Sequence, residues 1–126
     1  MKPLYTIAGN VLHGKRRGKA LGFPTANIEL THAIPSGIYI STTEFNDGEY
    51  HSVTFIGAAE TFGETDRKAE THILNFSEDL YGVEITVKLL SKLRESERFE
   101  TVNALVTQIK KDIRQTRNFF KRENRY

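Results

Sequence analysis

The stretch EFNDGEYHSVTFI, residues 44–56, decides the fold. Asn46-Asp47-Gly48 at its centre is a hairpin turn signal, because Gly, Asn and Asp tolerate the positive φ that a tight connection between strands requires. Residues 38–45 lead into the turn after Pro35-Ser36-Gly37, and 49–56 return from it. Both arms are rich in the β-branched and aromatic side chains that suit a pleated surface.

The same signature extends outward in both directions. Upstream, residues 25–30 alternate cleanly, with Ala26, Ile28 and Leu30 on one face and Thr25 and Asn27 on the other. Residues 5–12 alternate more loosely and end at His13-Gly14. Downstream, residues 57–68 are polar and punctuated by glycine. They read as a loop of about a dozen residues, a length that often carries function. Residues 69–76 alternate again, with Glu70, His72 and Leu74 on one face and Thr71, Ile73 and Asn75 on the other. Leu80-Tyr81-Gly82 turns the chain into a last strand at 83–90.

The period then changes. Val102, Leu105, Val106, Ile109 and Ile113 recur at the three-and-four spacing of an amphipathic helix. Six short strands followed by one helix predict a mainly β, antiparallel barrel with a C-terminal α-helix packed outside. There is no internal repeat, low-complexity tract or linker, so residues 1–126 read as a single domain.

Composition agrees and excludes some functions. The chain has 126 residues, 38% of them hydrophobic and 27% charged, enough for one modest core. No apolar run is long enough for a membrane span, and MKPLYTIAG lacks the apolar region of a signal peptide. The absence of cysteine removes disulfides, thiolate chemistry and cysteine-based zinc sites. These features predict a cytoplasmic enzyme or binding module with no membrane partner. Net charge is only +2, but it is segregated. One basic cluster is KRRGK at 15–19. The other comprises Lys110, Lys111, Arg114, Arg117, Lys121, Arg122 and Arg125.

The first cluster resembles a phosphate-binding P-loop and departs from it. Three residues, not four, separate Gly14 from Gly18, Ala20 replaces the hydroxyl residue, and Gly22 and Pro24 argue against a helix. The physical capability remains, since glycines admit phosphate oxygens to backbone N–H groups and Lys and Arg add charge. A solvated basic hairpin tip would have the same composition. What distinguishes this segment is that it runs directly into Thr25 and Asn27. Mg²⁺ takes oxygen ligands and commonly shares them with nucleotide phosphates, so neutral donors suffice when phosphates bring the negative charge. An i, i+2 spacing on a strand aims both side chains at one point. Thr and Asn are equally common on an exposed strand face.

Glu70 stands on a strand just after the long loop. A carboxylate there could take a proton from a hydroxyl nucleophile, and an ordinary pKa near 4.3 would not disqualify it. In a loose phosphoryl-transfer transition state the base need only orient the hydroxyl and accept its proton late. An exposed strand-end glutamate is the plainer alternative. His72 shares the face of Glu70 and reads as a packed or hydrogen-bonded histidine, because no second His or carboxylate lies at chelating spacing.

In this order, the pieces resemble the riboflavin kinase family. The resemblance is carried by Gly9-Asn10-Val11, HGKRRGKALGFPTANIEL, an Ile-Gly pair, AETHILNF, DLYG, and LRESERF followed by a helix containing Asp112. It spans residues 7 to 113. It implies a six-stranded Greek-key barrel and the ATP-dependent phosphorylation of riboflavin at its ribityl 5′-hydroxyl, giving FMN. It further implies that Thr25 and Asn27 bind Mg²⁺ and the ATP phosphates, and that Gly14, Lys15, Gly18 and Lys19 lie in the phosphate-covering loop. Gly22 and Pro24 complete that nucleotide-binding segment. By the same resemblance Glu70 is the general base and Arg94 lies near the flavin. Bacterial members are commonly fused to an FMN adenylyltransferase half, and none is found in these residues.

Two positions depart from the family pattern, Phe55 where an Asn is usual and Glu60 where a Pro is usual. They motivate an alternative, a non-catalytic flavin- or nucleotide-binding module. A third reading, a basic barrel that binds RNA or DNA, is suggested by the C-terminal cluster. It is disfavoured because only Phe119 and Phe120 accompany that cluster, and the other aromatics fall at core positions. The expected partners are therefore ATP and riboflavin, without nucleic acid.

Overall fold

The computed structural model describes residues 1–14, 17–58 and 67–123. Its elements are β1 (Tyr5–Asn10), α1 (Arg17–Ala20), β2 (Ala26–Ile28), β3 (Gly37–Phe45), β4 (Gly48–Gly57), β5 (Lys68–Ile73), β6 (Glu84–Arg94) and α2 (Val102–Glu123). The six strands form one antiparallel sheet in the order β1-β6-β3-β4-β5-β2. Within it, β6 returns beside β3 after the β3-β4-β5 meander, which is the Greek-key order. Among the described residues the two edges meet at one bridge, Leu12 to Asn27, where the Leu12 N–H donates to the Asn27 carbonyl at 2.8 Å. The barrel is nearly closed, as the strand pattern implied.

The β3–β4 hairpin forms where expected. Asn46 and Asp47 have φ of 48° and 63°, the two positive values of a type I′ turn. Nine pairs follow without a slip, from Phe45↔Gly48 to Gly37↔Ile56. Tyr39, Thr54, Thr71 and Ala26 are successive cross-strand partners and face the interior. There they join the core with Ile7, Ile28, Ile56, Ala69, Val87 and Leu89. Five buried hydroxyls share this interior. Thr43, Ser52, Ser41, Thr54 and Thr71 are linked in that order by hydrogen bonds of 2.7–2.8 Å. Each hydroxyl can both donate and accept, so a chain of them satisfies itself without water.

Several boundaries differ from expectation. β1 stops at Asn10, and Leu12 serves as the seam bridge instead. β2 is only three residues long, and Asn27, though on the other face from Ala26 and Ile28, is buried as they are. β5 ends at Ile73 because Asn75, with φ of 58°, turns the chain. β6 runs on to Arg94, bulging against β3 at two places. A single turn of helix, α1, does form ahead of Gly22. Gly22 ends it at φ 94°, its N–H donating to the Lys19 carbonyl at 3.1 Å. Gly22 and Pro24 therefore terminate a helix that the sequence reading had excluded.

Helix α2 starts at a cap the sequence reading passed over, with Thr101 Oγ1 accepting the Ala104 N–H at 3.0 Å. Its buried residues are Asp112, Thr116 and Phe120. Leu105, Val106, Ile109 and Ile113 are half-buried, and Val102 is 44% exposed. The helix therefore lies on the barrel through a polar anchor as much as through its apolar stripe. Arg94 grips Asp112 bidentately, Nε to Oδ1 at 2.9 Å and Nη2 to Oδ2 at 2.8 Å, and Gln108 donates to the same carboxylate at 2.9 Å. At the other end Phe120 stacks on His51 of β4 at 3.7 Å.

Candidate active site

A cleft of ≈ 110 Å³ opens beside the seam. Gly14, Lys19, Pro24, Thr25 and Asn27 line one side, and residues 76–81 line the other, with Thr71 and Ile73 of the barrel interior between them. The two lips are tied at the mouth. Val11 donates to the Val83 carbonyl and Gly82 donates to the Val11 carbonyl, both at 2.9 Å, and the His13 and Tyr81 rings stack at 3.6 Å. The sequence reading gave no role to this ring pair, although DLYG marked the turn that presents Tyr81.

Asn27 is the centre of the site. Its main chain makes the seam bridge, and its side chain points into the cleft. A Cβ on Gly14 would collide with the Asn27 side-chain amide, so only glycine allows this approach. Asn27 Oδ1 is buried and has no hydrogen-bond partner among the described residues. A buried carbonyl oxygen without a partner costs free energy unless something fills its lone pairs. Thr25, two residues earlier, is half-buried on the same wall. An orphaned neutral oxygen beside a hydroxyl suits a hard cation that a phosphate group also ligates. No cluster of three or more His, Asp or Glu that could hold a metal occurs among the described residues, so a cation here would depend on such phosphates.

Glu70 stands directly across from Asn27 in the β2–β5 ladder and directly across from Phe55 in the β4–β5 ladder. Opposed residues in an antiparallel pair project to the same side with Cβ atoms about 5 Å apart. Glu70 is half-buried and belongs to the outer face of the sheet. Continuing across that face, Phe55 is opposite Ile38, and Ile38 is opposite Arg94. Asn27, Glu70, Phe55, Ile38 and Arg94 thus form one row over five strands, with neighbouring strands about 4.8 Å apart.

Of the residues singled out from the sequence, Gly14, Lys19, Pro24, Thr25 and Asn27 come together at the cleft. Glu70 does not line the cleft; it stands beside Asn27 in the ladder, on the outer face of the sheet. Arg94 does not line the cleft. It sits at the far end of the row, with its guanidinium held by Asp112 and 5.8 Å from the Phe99 ring centroid. Gly18 lies in α1 and Gly22 at its end. Lys15 and Glu60 lie outside the described residues, as do positions 59–66 of the expected loop. His72 is hydrogen-bonded, as its sequence context suggested, through Nδ1 to the Pro24 carbonyl at 2.8 Å. Burial lowers its pKa from the ordinary 6.5; the Pro24 bond opposes that shift, and nearby Arg117 reinforces it.

Comparison with known proteins closes the question of family. The riboflavin kinase (flavokinase) family model matches residues 1–120. The chain belongs to the riboflavin kinase family. It is 38% identical over 109 residues to the RNA-binding riboflavin kinase of Bacillus subtilis (strain 168), covering 85% of this chain and 47% of that protein. With the bifunctional riboflavin kinase/FMN adenylyltransferase of Pseudomonas fluorescens it shares 38% identity over 112 residues, covering 86% and 36%. Among solved structures, riboflavin kinase from Trypanosoma brucei is similar with a TM-score of 0.66 at 26% identity, over 92% of this chain and 76% of that one. A chain described as a macrolide-efflux protein from Streptococcus pneumoniae reaches a TM-score of 0.80 at 34% identity, covering 92% of this chain and 39% of that one. The chain spans less than half the length of either curated relative. No helix among the described residues is long and apolar enough to cross a membrane.

Proposed function

We propose that this riboflavin kinase family member transfers the γ-phosphoryl group of ATP to the ribityl 5′-hydroxyl of riboflavin, giving FMN. The observation that carries the reading is the orphaned Asn27 oxygen in the cleft, one ladder step from the Glu70 carboxylate. Thr25 and Asn27 would hold Mg²⁺, which when bound draws charge from the phosphate oxygens and fixes the triphosphate's orientation. Gly14 leaves the space in which the Asn27 amide is set, and Lys19 adds positive charge at the cleft, with Lys15 and Gly18 assigned to the same loop. Glu70 orients the acceptor hydroxyl and takes its proton. In a loose transition state most catalysis is positioning and electrostatic stabilisation, so a carboxylate of ordinary basicity suffices.

The outer row suggests where the acceptor lies. A ribityl chain ending at Glu70 would direct the flavin ring over Phe55 towards Arg94, whose guanidinium is fixed by Asp112. Incubation with ATP, Mg²⁺ and riboflavin should yield FMN on chromatography. Turnover that is absent at saturating substrates, and absent again with other divalent ions, would sink the assignment.

A second reading is a flavin- or nucleotide-binding module without turnover. Phe55 favours it, because an aromatic ring stands beside Glu70 where the family usually has Asn. Flavin binding with no FMN formed would select this reading. Curated relatives join the kinase to an FMN adenylyltransferase, and we infer that this domain can work in such a fusion, in the cytoplasm. Neither reading uses nucleic acid, and salt-sensitive RNA binding by this chain would add a partner of the kind named for the Bacillus subtilis relative.

A further inference from the structure

The β2–β5 ladder ends at Ala26↔Thr71. One step further it would pair Thr25 with His72, and beyond Thr25 stands Pro24, which has no N–H to donate. Backbone pairing therefore stops at the point where the wall of the cleft begins. In its place the His72 ring reaches across and takes the Pro24 carbonyl, Nδ1 to O at 2.8 Å. A carbonyl only accepts, so Nδ1 carries the proton and donates it. The ring is packed edge-on to Phe23 at 5.9 Å, within the same turn. His72 lies two residues from Glu70 on the same face of β5, and Pro24 directly precedes Thr25.

These contacts close a small ring of chain. One side is the Asn27↔Glu70 pair, and the other is the His72–Pro24 hydrogen bond, with Thr25–Ala26 and Thr71 between them. We propose that His72 is a positioning residue, which completes the β2–β5 ladder where Pro24 cannot and so fixes Thr25 and Asn27 relative to Glu70. Without it, the Phe23–Thr25 segment would lean more heavily on β2, a strand of three residues. The inference rests on the kinase reading for its effect on rate, but the anchor itself can be measured without turnover.

Two classes of measurement test it. Nitrogen chemical shifts of the His72 ring report directly which nitrogen carries the proton, and they should show a neutral ring protonated at Nδ1. His72→Leu keeps apolar packing and removes the donor, whereas His72→Asn places an amide N–H near the original Nδ1. In the kinase assay His72→Leu should lower kcat tenfold to a hundredfold, the loss expected of about an ångström of misplacement. It should also raise KM for Mg·ATP, with riboflavin affinity within about twofold of the native value. His72→Asn should recover most of the loss, and His72→Gln, whose amide lies one carbon further out, should not. The amide resonances of Thr25, Ala26 and Asn27 should shift and exchange faster in His72→Leu than in His72→Asn. Unchanged Thr25–Asn27 amides in His72→Leu would overturn the proposal whatever the activity. So would a ring protonated at Nε2, or equal recovery by Asn and Gln. If the native protein shows no turnover while these amides respond as described, the kinase reading fails and the anchor stands.

Discussion

Strands β3 and β2 occupy the same sheet under very different conditions. β3 has nine residues, pairs with β4 along its whole length and is flanked by β6 on its other side. β2 has three residues, pairs with β5 alone through its ladder, and meets the opposite edge at one bridge. The long central strand is the scaffold, and its interior hydroxyls and apolar side chains are satisfied within the barrel. The short edge strand carries Asn27, whose buried Oδ1 has no hydrogen-bond partner among the described residues, whereas the buried Glu44 oxygen of β3 is ion-paired with Lys88 at 2.6 Å. The proposed chemistry thus sits where pairing is thinnest, where polar groups are less committed to the ladder.

Substitutions on the two sides should separate activity from stability. The largest effect is expected at the site, where Glu70→Gln should cut kcat by about a thousandfold, or roughly 4 kcal/mol of transition-state stabilisation. Its thermal midpoint should stay close to that of the native protein. A similar midpoint with undiminished kcat would remove Glu70 from the role of base. Next comes the anchor of α2, where Asp112→Ala leaves the mostly buried Arg94 guanidinium without its partner. Denaturant titration should show a loss of about 3–5 kcal/mol, the range for a buried pair broken on one side. A loss below about 1 kcal/mol would mean that the apolar stripe, and not the ion pair, seats the helix.

The scaffold side should respond more weakly and without loss of chemistry. Ser52→Ala breaks the hydroxyl chain at its links to Ser41 and Thr43, which should cost about 1–2 kcal/mol while kcat stays within twofold. A fall in kcat larger than the fall in stability would show that the network transmits the disturbance through Thr71 to the cleft. The smallest effect concerns pH. Because the native fold depresses the pKa of His72, the unfolded chain binds its proton first. This contribution to stability is complete above the ordinary value of 6.5 and declines as pH falls below it, until the native ring is itself protonated. The positive charge of Arg117 nearby also works against protonation of the ring. A comparison of native protein with His72→Asn between pH 7 and 5 should show a steeper decline in the native protein, and parallel curves would refute it.

The features legible in the sequence were those set by local chemistry. Asn46-Asp47-Gly48 specified a turn with two positive φ values, and the strands on either side followed to within about a residue. The GFPTAN segment could be matched to a family because its residues are contiguous in the chain, and in the fold Pro24, Thr25 and Asn27 line one cleft. The rest depended on distant partners. Val102, Leu105, Val106, Ile109 and Ile113 announce a helix, but not that the deeper face would hold Asp112, because its partner Arg94 lies 18 residues away. The His72–Pro24 bond joins residues 48 apart, and it can be seen only once β2 and β5 are known to be neighbours. Alternation placed Asn27 on the face opposite Ala26 and Ile28 but could not give its burial, which comes with the seam bridge to Leu12.

That closure couples two things usually kept separate. The carbonyl of Asn27 fastens the last gap in the barrel wall while its amide group faces the cleft, so whatever grips the amide also cinches the wall. The backbone proton of Leu12, already donated to the Asn27 carbonyl, would then gauge occupancy, trading with solvent more slowly when the cleft is filled. Like a cask tightened by the wetting of one stave, the barrel would owe its final rigidity to its own cargo.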